Sequence, residues 1–388
     1  MTAPAKIVEV PRRPSAVALS ARIPRLATLL LAAVAATATV ELALRLLVLS
    51  PSPTVTDPVL GRLLKPDTHY RQSAEGFSSF TTNALGFNDA PIPPGETDAI
   101  LVLGDSYIEA QQVDPADNFL AYFRRQNPGR TIIAAGRAGL SPLSYNDLAR
   151  YVARRAGFRQ IVVVLNSSDV KDILESDVQI QRGPDGKIVA LANREQRRPE
   201  GIEADAFRFL VSRSSIFALI NEKFIETLKA NAAAFRESIR TLRRHLLSPT
   251  ATSAASQAAA GGASGGTPKG LQDVVEVTEF LLSELKRQAT VEVVYVPLLV
   301  YRSGRIVDEQ ADSAAARQAF TCAAARSMTP LVALNEPLTR VFQDTGEPPN
   351  GFANVGPGLG HLNALGHQVL ARAIADVVDH PSVPQSGC

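Results

Sequence analysis

The sequence predicts an α/β fold: a three-layer α/β/α domain on a parallel, flavodoxin-like sheet, preceded by one N-terminal transmembrane helix. Three observations predict it. Short, unbroken apolar runs rich in Val and Ile recur along the chain, segments of helical periodicity separate them, and one apolar stretch of membrane-spanning length stands near the start. Runs that are apolar at every position belong to strands covered on both faces, and parallel strands need crossovers long enough to hold a helix.

Residues 1–25 carry Lys6, Arg12, Arg13, Arg22 and Arg25 against Glu9 alone and read as a cytoplasmic basic tail. Residues 26–49, "LATLLLAAVAATATVELALRLLVL", follow directly. As a helix this stretch reaches about 36 Å, enough to cross a hydrocarbon core. Basic residues before it place that side in the cytoplasm and export the remainder. Glu41 and Arg45 lie one turn apart toward the outer end, where they can pair and reach the interface. The alternative is a cleaved signal peptide with Ala36-Thr37-Ala38 as its small-residue site. Both readings export the rest of the chain.

Residues 50–98 are rich in Pro, Gly, Ser and Thr and read as an extended lead-in with turns and little helix. A domain over 99–380 follows. "AILVLG" (99–104), "RTIIAAG" (130–136), "RQIVVVLN" (159–166) and "VEVVYVP" (291–297) are predicted strands, and "PLVALNE" (330–336) is a candidate fifth. "YNDLARYVARRAG" and "LQDVVEVTEFLLSELKRQ" are predicted helices, and "ALGHQVLARAIADVVD" closes the domain as another. An insertion at about 175–270 interrupts this order. It opens with a turn at Asp185-Gly186 between two short strands, continues as a charged helical stretch over about 204–247, and ends in a small-residue flexible loop, 248–269.

Composition excludes several classes. Forty basic residues against 38 acidic give a net charge of +2, and outside the N-terminus no cationic stripe remains for nucleic acid. With no Trp, an aromatic sugar-stacking groove is disfavoured. The two cysteines, Cys322 and Cys388, form no scaffold of the small secreted kind, and the default reading is two free thiols. The five histidines show no metal-ligand spacing, so neither a metal nor a cofactor is expected.

"ILVLGDSYIEA" (100–110) sets Ser106 just beyond a predicted strand, at the carboxyl edge where open parallel sheets collect ligands. Asp105 or Ser106 could equally serve as a helix cap. Further along, "AAGRAGLSP" holds Gly136 and Gly139, "LNSSDVKD" holds Asn166 and Ser168, and "GHLNALGH" holds His361. In this block order, from about Asp57 to Val378, the chain resembles the SGNH/GDSL hydrolases, a superfamily of three-layer α/β/α esterases, lipases and carbohydrate deacetylases. "TTNALGFND" is similar to a lead-in of bacterial membrane-anchored members.

The resemblance implies Ser106 as nucleophile, His361 as general base, and an oxyanion site from the backbone N–H groups of Ser106 and Gly139. A serine hydroxyl needs an adjacent imidazole to take its proton, and the tetrahedral intermediate needs donors set around its oxygen. Two departures follow. The family's Gly-Asn-Asp block is altered, and the third oxyanion donor is Ser168 by spacing or Asn166 by the chemistry of its amide. The family's Asp-x-x-His reads Gly358-Leu359-Gly360-His361, so the acid that orients the imidazole is missing. A backbone carbonyl or an acid from elsewhere in the chain would have to replace it. Asp67-Thr68-His69, ahead of Ser106, offers the Asp-x-His order of some periplasmic O-acetyltransferases with related domains.

The function expected is a serine esterase or deacylase acting on O-acyl esters, acetyl first among them, of a glycan. It would be anchored by one pass in a bacterial inner membrane with its catalytic domain in the periplasm. The expected partners are thus an acylated carbohydrate or other ester and, through residues 26–49, the lipid bilayer. Two alternatives stand beside it: a polysaccharide O-acetyltransferase using the same nucleophile, and a glycan-binding pseudo-hydrolase, motivated by Gly358 and the altered "NSSD".

Overall fold

The computed structural model describes residues 22–47, 51, 53–192, 209–220, 269–302 and 305–380. The first element is α1 (Arg22–Leu47), whose Ala27–Leu46 stretch has a mean hydropathy of 1.9 and is long and apolar enough to cross a membrane. The predicted Glu41–Arg45 pair forms on it, at 2.6 Å.

The lead-in folds into two antiparallel hairpins, β1 (Thr54–Asp57) with β2 (Gly61–Leu64) and β3 (His69–Gln72) with β4 (Ser78–Thr81). Asp57 turns the first by accepting the N–H groups of Val59 and Leu60 on its carboxylate. Tyr70 and Phe80 stack at 5.4 Å and, with Leu64, form a small core of their own.

The alternation of strand and helix begins at β5 (Ala99–Gly104), followed by the single turn α2 (Ser106–Glu109), α3 (Phe119–Gln126), β6 (Ile132–Gly136), α4 (Tyr145–Ala153), β7 (Phe158–Asn166) and α5 (Ser167–Leu174). The described part of the insertion supplies a hairpin, β8 (Gln179–Arg182) with β9 (Ile188–Ala192), turning at Asp185-Gly186 as expected. It also supplies α6 (Ser215–Ile220). Most of the charged stretch and nearly all of loop 248–269 lie outside the described residues. Next come α7 (Leu271–Leu285), β10 (Thr290–Val296), a hairpin of β11 (Leu299–Arg302) and β12 (Arg305–Glu309), α8 (Ala311–Arg326), β13 (Leu331–Ala333) and α9 (Asn335–Thr345). A final hairpin, β14 (Asn350–Phe352) with β15 (Gly356–Leu362), leads into α10 (Ala364–Asp379).

All five predicted sheet strands form, parallel, in the order β6-β5-β7-β10-β13. Alternate residues feed two cores. Leu101, Leu103, Ile161, Val163 and Val293 pack with α4, α7 and α8, while Ile100, Val102, Val162, Val164 and Val294 pack with α3, α9 and α10. Each such side chain stabilises the fold by roughly 1.5–3 kcal/mol, so the strand ends that carry the site stand on a rigid frame.

One expectation needs correction here. Cys322, on α8, is disulfide-bonded and not a free thiol. Cys388, the chain's other cysteine, lies outside the described residues.

Candidate active site

The sheet order reverses beside β5: the chain leaves that strand toward β6 on one side and returns to β7 on the other. A crevice opens at the carboxyl ends of strands flanking such a switch. Ser106 follows β5 there, and Asn166 ends β7. The cap of α2 is Asp105, whose Oδ1 accepts the Tyr107 N–H at 3.0 Å while Oδ2 accepts from Asn166 Nδ2 at 3.0 Å. With Asp105 taking the capping role, the Ser106 hydroxyl is left for other chemistry.

That hydroxyl meets His361. The imidazole Nε2 lies 2.8 Å from Ser106 Oγ, across 255 residues of chain. His361 sits on the last strand, β15, just before Asn363 caps α10 by accepting the N–H groups of Leu365 and Gly366. The strand end and the cap together fix the histidine's backbone.

The acid missing from the sequence block comes from the lead-in. Glu75, at the tip of the β3–β4 hairpin, places Oε2 2.6 Å from His361 Nδ1 and accepts the His361 backbone N–H on Oε1 at 2.5 Å. The hydrogen-bond network therefore assigns the proton to Nδ1 and leaves Nε2 to accept from the serine. Burial alone would raise the Glu75 pKa. The His361 ring N–H, its charge and its backbone N–H outweigh that and hold the carboxyl below its usual range.

Gly358 could not supply the acid even with a carboxylate in its place. Its φ is +79°, and a Cβ there would lie 2.7 Å from the Tyr301 ring. Two residues on, a Cβ at Gly360 (φ +78°) would collide with Glu75 Oε1, so the strand passes the carboxylate with room for backbone only.

The Glu75 loop is held from two sides. Ser78 Oγ donates to the Gln111 carbonyl, and the Ser79 N–H donates to Asp114 Oδ1 at 2.9 Å, tying it to the chain beyond α2. Asn354, in the β14–β15 turn, accepts the Gly76 N–H at 2.9 Å and donates to the Ser73 and Gly76 carbonyls at 2.9 and 3.2 Å.

The expected oxyanion residues lie on the same side of the sheet. Gly139 is exposed on the loop after β6, at φ +69° with open space around its Cβ position. Its neighbour Ala138 donates its N–H to Glu109 Oε2 at 2.7 Å, tying this loop to the helical turn that carries Ser106. Asn166 is buried; its Oδ1 accepts the N–H and, at 2.6 Å, the hydroxyl of Ser168. Both candidates for the third donor thus lie against Asp105 Oδ2, the buried amide at 3.0 Å and the exposed hydroxyl at 3.4 Å.

His69 does not join the site. Its ring nitrogens engage Ser79 Oγ at 3.1 Å and Thr81 Oγ1 at 3.3 Å across its own hairpin. His367 packs in the core against Phe119, where burial pushes its pKa down to about 3. Among the described residues no cluster of His, Cys, Asp and Glu could hold a metal.

A flavodoxin-order sheet, a serine after its first strand and a histidine ahead of its last helix are now in place. This is the arrangement that the resemblance to SGNH/GDSL hydrolases implies. No family model matches the chain, and no curated protein matches it significantly. Similar solved structures include a lipolytic G-D-S-L family member from Veillonella parvula, with 10% identity, 73% of this chain and 100% of that one covered, and a TM-score of 0.37. A catalytic mutant of an acetylxylan esterase from Geobacillus stearothermophilus is 10% identical, with 76% and 100% covered and a TM-score of 0.36. A carbohydrate esterase family 2 enzyme with a carbohydrate binding domain, from Corynascus thermopiles, is 12% identical, with 75% and 69% covered and a TM-score of 0.33. At such values these likenesses add nothing to the site, which rests on its own residues.

Proposed function

We propose that the chain is a membrane-anchored, extracytoplasmic serine esterase that removes short acyl groups, acetyl first among them, from a glycan. The observation that carries the chemistry is the unbroken relay from Glu75 through His361 to Ser106, at 2.6 and 2.8 Å. His361 Nε2 takes the Ser106 proton as Oγ attacks the ester carbonyl. The oxyanion forms against the N–H groups of Ser106 and Gly139, with the Asn166 amide or the Ser168 hydroxyl as third donor, a set in which one lost donor costs about 10²–10³ in rate. Collapse of the intermediate expels the alcohol, which leaves with the proton from His361, and the acyl group stays on Ser106. Water then attacks the acyl-enzyme by the same steps, releasing the carboxylic acid and the free serine. Glu75 holds the ring in the tautomer this sequence requires and stabilises the imidazolium.

The glycan-borne substrate follows from the family resemblance, and the membrane anchor from α1 with the basic residues ahead of it. A relay completed by Glu75 answers one motive for the pseudo-hydrolase reading, the missing acid at Gly358, and leaves the altered "NSSD" as the other. The test is covalent labelling by a fluorophosphonate probe. Labelling of the full chain that Ser106→Ala abolishes is the expected result, and a folded wild-type chain that resists the probe would overturn the assignment.

A further inference from the structure

Glu41 and Arg45 are out of place in an apolar span, and their partners explain them. The Glu41 carboxylate accepts the N–H of Ser215 at 2.8 Å, the N–H of Ile216 at 3.1 Å and the hydroxyl of Ser214 at 2.8 Å. Arg45 pairs with Glu41 and also donates to the carbonyl of Arg213. Ser215 and Ala218 are buried. A carboxylate on the membrane helix therefore caps a helix of the insertion, which gives the Glu41 charge its partners.

This contact fixes a depth. Glu41 lies five residues before Leu46, the last residue of the apolar stretch, which at a helical rise is about 7.5 Å inside its outer end. The segment 209–220 is held at that level, and it exposes apolar side chains there: Phe209 at 54%, Leu210 at 40% and Ile220 at 39%. Leu42 and Leu46 of α1 are exposed at the same end, so the apolar surface continues from the helix onto the segment. The Arg213 guanidinium sits 4.4 Å over the Phe209 ring. Apolar side chains interleaved with arginine are the composition that settles among lipid headgroups, the rings and chains buried and the cations against phosphate.

We propose that residues 209–220 form a second membrane contact, a collar seated at the boundary between phospholipid headgroups and acyl chains beside the outer end of α1. This rests on the reading of α1 as a membrane span. Arg71, on the hairpin that carries Glu75, donates to the carbonyl of Leu46, so the collar's neighbour on α1 is the hairpin of the site itself. The collar thereby sets the orientation of the site at the bilayer surface, and acyl esters displayed at that surface are the ones presented to it.

The chain contains no tryptophan, so Phe209→Trp installs a single fluorescent reporter. The full chain is placed in vesicles of phosphatidylcholine with a minority of phosphatidylglycerol, with lipids brominated near the headgroup end of the acyl chain. Quenching of about twofold or more is expected for Phe209→Trp and for Ile220→Trp. Adding Glu41→Ala to either should reduce it. Water-like, unquenched emission from both reporters while Leu31→Trp is quenched would overturn the collar and leave the anchor standing. Unquenched Leu31→Trp would overturn anchor and collar together, while Ser106 labelling reads the esterase chemistry separately.

Discussion

Glu75 grips His361 twice, once at the ring Nδ1 and once at the backbone N–H, using a different carboxylate oxygen for each. One acidic side chain therefore sets both the tautomer of the imidazole and the position of the strand that carries it. Replacing Glu75 by Ala should lower kcat on p-nitrophenyl acetate by about 10²–10⁴-fold with little change in KM, since the loss falls on the imidazolium-like transition state. Glu75→Asp should recover part of it. Steady-state kinetics within a few-fold of wild type for Glu75→Ala would remove this residue from the mechanism.

Restoring the family's usual acid should fail. Gly358→Asp puts a Cβ against the Tyr301 ring at a positive φ, at a backbone cost of about 1–2 kcal/mol before any overpacking. Thermal denaturation should show a lower Tm, and the double variant with Glu75→Ala should be no more active than Glu75→Ala alone. Rescue of Glu75→Ala by Gly358→Asp would show that the β15 strand can rearrange.

Asn354 tests whether the strap around the Glu75 loop matters to the chemistry. Asn354→Ala removes three hydrogen bonds to Ser73 and Gly76, each worth about 0.5–1.5 kcal/mol net. Stability should drop modestly, while kcat falls further than that drop accounts for, because the acid loses its fixed approach to the ring. Unchanged kcat at a temperature where the variant is fully folded would show that the loop keeps its place unaided.

Glu109 predicts a pH dependence of stability. Burial first, and then the charge of Asp105, raise its pKa to about 7 against the opposing pull of the Ala138 N–H, Gln111 and Arg137. An unfolded glutamate titrates near about 4.3, so between the two values the folded chain binds more protons than the unfolded one. Its contribution therefore falls as pH rises through that window and is flat above about 7. Glu75 has the opposite sign: its depressed folded pKa adds stability that is complete above the unfolded value and lost as pH falls through the folded one. Glu109→Gln keeps an acceptor for Ala138, and its stability relative to wild type should improve by on the order of 3 kcal/mol between about pH 4 and pH 8. Chemical denaturation at several pH values checks this, and parallel curves for the two chains would contradict it.

The sheet was legible in the sequence because a strand buried on both faces must be apolar at every position, a signal that needs no partner to read. Even the three-residue β13 could be placed from "PLVALNE". Ser106 and His361, which meet at 2.8 Å, were legible through motif blocks. Glu75 was not. Its neighbours Ser73, Ala74, Gly76 and Phe77 are those of any polar turn, and its role exists only through the contact with a residue 286 positions away. The one available signal was negative: Gly358 where an acid belonged, which demanded a carboxylate from outside the block. The β14–β15 hairpin was equally silent, because its glycines serve a close approach to Tyr301 and Glu75 and not a local periodicity.

The relay joins the two extremes of the domain, with Glu75 ahead of the first sheet strand and His361 just before the last helix. During synthesis the acid and the nucleophile emerge well before the base, which follows Ser106 by 255 residues. No truncated product ending before β14 can cleave an ester by this route, whatever else of it has folded. Hydrolysis by this relay would therefore report that synthesis had passed His361 and that the ring had folded back against Glu75 and Ser106.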